Sequence, residues 1–124
     1  MNEGAEIKCL YINARSIMNK LNEFGVTVEE LGPDVIGVTE SWVTDQVLDS
    51  ELAIGGYVLF RADRQGGDAA RGGGVLLYVK ESLQPVEFKP KTGVPEQIWC
   101  RLLSKRGQEL LIGVCYRTPS MGFF

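Results

Sequence analysis

Two short apolar segments that each end on a polar residue, with a helix-like stretch between them, set most of what this chain can fold into. Ile7–Ile12 reads as a buried strand and stops on Asn13, and Val35–Thr39 reads as a second and stops on Glu40. Between them Ser16 stands where an N-cap belongs, and Ile17, Leu21, Phe24, Val28 and Leu31 line one helical face. Gly32-Pro33 then ends the helix. Strand, helix and strand in such quick succession favour a parallel pair joined by a right-handed crossover. In open α/β sheets, ligands gather at the carboxyl ends of such strands, which is where Asn13 and Glu40 fall.

Further along, Ser41–Leu52 is expected to hold a short second helix with Val47, Leu48 and Leu52 turned inward. From Tyr57 the rhythm is that of strands alone: Tyr57–Arg61, Gly74–Lys80, Pro85–Phe88, Gln97–Leu103 and Glu109–Tyr116, separated by turn-rich loops. Short spacings of this kind suggest hairpins and an antiparallel continuation. The expected fold is α/β (α+β), one mixed β-sheet with helices on one face, in a single domain over residues 1–124.

Side-chain alternation places Cys9 and Tyr11 with Asn13, Ile36 and Val38 with Glu40, and Ile112 and Val114 with Tyr116. Both faces of the sheet come out apolar, so both expect a cover, and the helices supply only one. An apolar face left open on a soluble chain predicts a homodimer through Cys9, Tyr11, Ile36, Val38, Ile112 and Val114.

Composition narrows the classes. With 124 residues, 44% hydrophobic and 23% charged, the chain is a single globular unit. A net charge of -3 argues against a protein that coats nucleic acid through its overall charge. The first residues, Met-Asn-Glu-Gly-Ala-Glu, do not read as a signal peptide, and no apolar run approaches the ~18 residues that span a membrane. Three cysteines in strand-like segments read as free thiols in a reducing compartment, which predicts an intracellular protein of cytoplasm or nucleus. With no histidine and no Cys-x-x-Cys pair, an ordinary zinc site is excluded. The loop Gln65–Gly74 is glycine-rich but lacks Gly-Lys-Ser/Thr, so it reads as a hairpin connection and not as a phosphate loop.

Five motifs occur in order: Asn13-Ala-Arg-Ser16, Pro33-Asp-Val-Ile-Gly-Val-Thr-Glu-Ser-Trp42, Arg61-Ala-Asp-Arg64, Gly72-Gly-Gly-Val-Leu-Leu-Tyr78 and Cys115-Tyr-Arg-Thr-Pro119. Together they resemble the endonuclease/exonuclease/phosphatase superfamily, specifically the apurinic-type endonuclease domain of LINE-type retrotransposons. The resemblance runs from about Ile7 to Pro119. It implies half of a four-layer α/β sandwich whose second sheet comes from a dimer partner, and a divalent metal such as Mg²⁺ serving phosphodiester chemistry. Glu40 matches the family's metal-binding glutamate, Asn13 the asparagine that supports the metal and phosphate, and Tyr116 a tyrosine near the scissile phosphate. Arg15, Arg61 and Arg64 fall where basic residues could meet a nucleic-acid backbone.

The departures from the family weigh as much. Its later Gly-Asp-Phe-Asn and Ser-Asp-His motifs, which carry the catalytic aspartate, a second asparagine and the essential histidine, are absent from this sequence. Loss of general acid–base catalysis alone forfeits about 10²–10⁴-fold in rate. The chain is therefore expected to be the first half of such a domain, and two classes of function stay open. One is a non-enzymatic fragment acting through binding or self-assembly. The other is a residual metal-dependent phosphodiesterase on a composite dimeric site.

Overall fold

The computed structural model describes residues 7–63, 73–89, 96–103 and 107–116. Strand β1 (Cys9–Asn13) pairs in parallel with β2 (Val35–Thr39), Cys9 beside Val35 and Asn13 beside Thr39. β4 (Val75–Lys80) lies antiparallel to β2, and β3 (Tyr57–Ala62) antiparallel to β4, giving the order β1-β2-β4-β3. The crossover between β1 and β2 is a 3₁₀ turn at Met18–Lys20 running into α1 (Leu21–Leu31).

The helix starts later than the sequence suggests. Ser16 lies at φ 85°, a left-handed conformation outside the extended region an N-cap adopts. Its end is as expected: Gly32, at φ 56°, donates its N–H to the Val28 carbonyl at 2.8 Å. Phe24 and Val28 face the core, whereas Leu31 remains 49% exposed. The second helix shrinks to one turn, α2 (Asp49–Leu52), with Leu52 buried and Leu48 63% exposed. The Glu51 carboxylate accepts the Leu48 N–H at 2.9 Å and fixes the start of that turn.

The mixed α/β class expected from the sequence is what the structure has, but the strands divide between two sheets. β5 (Val86–Phe88), β6 (Gln97–Leu103) and β7 (Glu109–Cys115) form an antiparallel sheet of order β5-β6-β7. The reason lies in β4. Its Val75–Val79 run is buried on both faces and its two edges are already taken by β2 and β3. The 3₁₀ turn Glu81–Leu83, closed by Gln84 at φ 51°, then sends the chain away to begin a new layer.

Both faces of the first sheet find cover within the chain over the central strands β2 and β4, while β1 keeps Cys9 and Tyr11 exposed. On the helix side, Ile17, Phe24 and Val28 pack with Ile36, Val38, Leu76 and Tyr78. The Tyr78 hydroxyl donates to the Leu52 carbonyl at 2.8 Å, so burial of this polar atom leaves no unmet hydrogen bond. On the other side, Val35, Val75, Leu77 and Val79 meet Ile98, Cys100, Leu102 and Val114 of the second sheet. Gly37 lies against the second sheet, where a Cβ would meet the Val114 side chain at 3.4 Å, an ordinary contact distance.

The six residues expected to form one dimer patch do not share a face. Cys9 pairs with Val35 and Tyr11 with Gly37, so Ile36 and Val38 point the opposite way, under α1. Val114 and Ile112 pack into the inter-sheet core, while Cys9 and Tyr11 stay exposed on β1. The pairs Cys9 with Tyr11, Ile36 with Val38, and Ile112 with Val114 each share a face within their strand. The offset of one residue between strands, which only the pairing reveals, separated the set.

Candidate functional site at the strand ends

Register brings the polar strand ends into one row. Asn13 neighbours Thr39, Thr39 neighbours Val75, and Val75 neighbours Ala62, so four strand ends line up at one end of the first sheet. Beyond them the two loops are zipped by backbone hydrogen bonds: Ala14 N–H to the Thr39 carbonyl at 2.9 Å, Ser16 N–H to Glu40 at 3.0 Å, and Ile17 N–H to Ser41 at 3.0 Å. Lys20 adds a clamp from the 3₁₀ turn before α1, donating its ammonium to the carbonyls of Ala14 and Arg15.

Backbone strain concentrates here. Of the six described non-glycine residues with positive φ, five belong to these loops and their neighbour across the sandwich: Arg15, Ser16, Glu40, Trp42 and Glu96. Non-glycine residues in this region cost of order 1–3 kcal/mol each and persist only where the surroundings impose them. Glu40, at φ 53°, therefore does not continue the alternation of Ile36 and Val38. Neither the Glu40 carboxylate nor the Asn13 amide has a hydrogen bond or ion pair among the described residues, and Asn13 is exposed.

Tyr116 is tied to the same end from the second sheet. Its N–H donates to the Glu96 carbonyl at 3.1 Å, and the Glu96 carboxylate accepts the Gly74 N–H at 2.9 Å. Gly74 in turn accepts from Ser41 at 3.2 Å, next to Glu40. The backbones at Asn13, Glu40 and Tyr116 are thus linked at one end of the sandwich, by strand pairing, by loop hydrogen bonds and by the Glu96 carboxylate. Glu96 went unnoticed in the sequence, where a lone glutamate before an apolar strand carries no periodic signal.

The arginines separate. Arg15 is exposed. Arg61 has its donors taken up inside the fold, by the Thr44 and Val47 carbonyls and by Asp49 and Asp63, both carboxylates at 2.7 Å. The bond to Asp63 is the main influence raising its pKa, with Asp49 adding to it against a cost of burial. Its role is to fasten the loop before α2 to β3. Arg64 lies outside the described residues, as does most of the glycine-rich loop.

Chemically, the site offers oxygen donors: one carboxylate, one amide carbonyl and surrounding backbone carbonyls. Among the described residues no group of three or more His, Cys, Asp or Glu side chains could hold a metal. Hard divalent cations accept such sparse oxygen sites by keeping most of their waters, so Glu40 and Asn13 fit a hydrated Mg²⁺ but not a tightly caged ion.

Comparison with known proteins places the fold. The AP endonuclease from Leishmania major aligns with a TM-score of 0.70 at 15% identity, over 94% of this chain and 41% of its own. An endonuclease/exonuclease/phosphatase family protein from Leptotrichia buccalis gives 0.62 at 16% identity, over 91% and 55%. The AP endonuclease from Archaeoglobus fulgidus gives 0.57 at 18% identity, over 86% and 40%. The chain has the α/β fold of this superfamily and spans about half the length of these structures. No family model and no curated protein matches the sequence. No described helix is long and apolar enough to cross a membrane.

Proposed function

We propose that this chain is the N-terminal half of a LINE-type, apurinic-type endonuclease domain, a retroelement-derived fragment that binds a hydrated divalent cation weakly and does not cleave nucleic acid as a monomer. The observation that carries the proposal is the meeting of Asn13, Glu40 and Tyr116 at one end of the sandwich, with the first two side chains unpartnered among the described residues. Glu40 would hold Mg²⁺ and Asn13 would orient the metal and a phosphate. When bound, the cation supplies charge neutralisation on a phosphodiester oxygen. Tyr116, whose side chain packs against the inter-sheet core, would lie near that phosphate through its backbone position, and Arg15 would offer an exposed cation to the nucleic-acid backbone. No histidine exists to move the proton, so chemistry stops at binding. A homodimer through the six-residue patch is not part of the proposal, because those side chains do not share a face.

The test is a nicking assay on supercoiled plasmid with Mg²⁺ or Mn²⁺, beside water-proton relaxation by Mn²⁺. The expected result is no nicking attributable to the chain, together with Mn²⁺ binding that is lost in Glu40→Gln. Nicking abolished by Glu40→Ala would overturn the inactive reading, and Mn²⁺ binding indifferent to Glu40→Gln would overturn the metal site.

A further inference from the structure

We infer that Glu96 is a positioning residue that sets the turn carrying Glu40 from the opposite sheet. This deepens the proposed function by assigning what holds its site in shape. Glu96 precedes β6, whereas Glu40 follows β2, so the two belong to different sheets. One side chain spans the gap. Its carboxylate accepts the Gly74 N–H at 2.9 Å, while its own carbonyl accepts the Tyr116 N–H at 3.1 Å.

From Gly74 the hold passes to the candidate metal ligand in two parallel bonds. The Gly74 carbonyl accepts Ser41 N–H at 3.2 Å, and the Gly73 carbonyl accepts Trp42 N–H at 2.9 Å. These amides immediately follow Glu40, in a loop segment where Glu40 and Trp42 take φ values of 53° and 59°. Gly73 and Gly74 themselves lie at φ 70° and 86°, conformations that glycine alone adopts freely, so their placement needs an anchor more than their own preference supplies. A charged acceptor on a backbone N–H is among the stronger hydrogen bonds available to provide one. Glu96 accepts a left-handed conformation of its own, φ 58°, to reach it. A residue selected only for stability would avoid that strain, whereas one that sets a site tolerates it.

The test is residue-resolved amide exchange by NMR on the full chain, with Glu96→Ala, Glu96→Gly and Glu96→Gln. Glu96→Gly relieves the left-handed strain while removing the acceptor, so it keeps the experiment decisive if Glu96→Ala folds poorly. Glu96→Gln retains a carbonyl acceptor of the same length. The expected result is exchange at Ser41 and Trp42 faster by about tenfold or more in Glu96→Gly, with Val38 in the middle of β2 unchanged and protection restored in Glu96→Gln. Unchanged exchange at Ser41 and Trp42 in Glu96→Gly overturns the inference. So does acceleration spread evenly over β2, which would mark a purely structural role. Mn²⁺ affinity measured on the same samples is expected to fall several-fold in Glu96→Gly. A wild-type chain that binds no Mn²⁺ removes the metal reading, while the exchange pattern still decides the role of Glu96.

Discussion

Glu40 sits at φ 53°, where the Cβ of an L residue crowds the following carbonyl at a cost of about 1–2 kcal/mol. Glycine at this position would remove that cost while enlarging the unfolded ensemble by about 0.4–1 kcal/mol. Little else is at stake, because the carboxylate makes no bond among the described residues and the Glu40 carbonyl keeps its 3.0 Å bond from Ser16. The difference is a net gain of about 0.5–1 kcal/mol for Glu40→Gly, near 2–4 °C in melting temperature for a domain of this size. Glu40→Ala separates strain from charge, since alanine loses the carboxylate but keeps the Cβ, and it should show no such gain. Urea denaturation and calorimetry without divalent metal measure both variants. Stabilisation by added Mn²⁺ should then be lost in each. If Glu40→Gly melts no higher than Glu40→Ala, the strain is not stored at Glu40 and the placement of this turn is wrong.

Two further perturbations probe the frame around the site. A Cβ on Gly113 would lie 2.4 Å from the Trp99 ring, so Gly113→Ala must displace the indole and break its 2.9 Å bond to Gln97, costing about 1–3 kcal/mol in urea denaturation followed by tryptophan fluorescence. Gly25→Ala, inside α1 with nothing within 4 Å, should shift the same transition the other way by up to about 1 kcal/mol. Burial pushes the Cys100 thiol from 9.0 up to about 11, so the folded state holds a proton that the unfolded chain releases first. Stability should therefore be level with respect to this group below pH 9 and fall as pH rises from 9 towards 11, a decline that Cys100→Ala lessens in denaturation curves across that range.

Much of the frame was legible because hydrophobic periodicity is local. The bounds of Val35–Thr39 and Gln97–Leu103 agree with the structure to the residue, and α1 ends on Gly32 for the reason its sequence suggests. What escaped depended on partners. The unbroken apolar run Val75–Val79 was the available sign that this strand is central and covered on both sides, which is hard to reconcile with a sheet open on one face. Leu48 and Leu31 look like core residues by type, yet exposure is decided by where the helices stop, and both lie at helix ends. Arg61 resembled a ligand-facing cation because sequence does not show that four acceptors surround it.

The site itself was legible to a different degree. Asn13 and Glu40 announce themselves as polar residues closing apolar strands, a contrast any single sequence displays. Glu96 does not, because its importance comes from a backbone conformation and a contact 22 residues away. This has a physical consequence for a chain half the length of its structural neighbours. The bonds that shape the Asn13–Glu40 end run among β1, β2, the start of β4 and the start of β6, all within this one chain. The geometry of this end is therefore set by bonds among the described residues of this chain. Because the chain makes these bonds by itself, the proposed role of Glu40 and Asn13 toward a divalent cation can be tested on this chain alone.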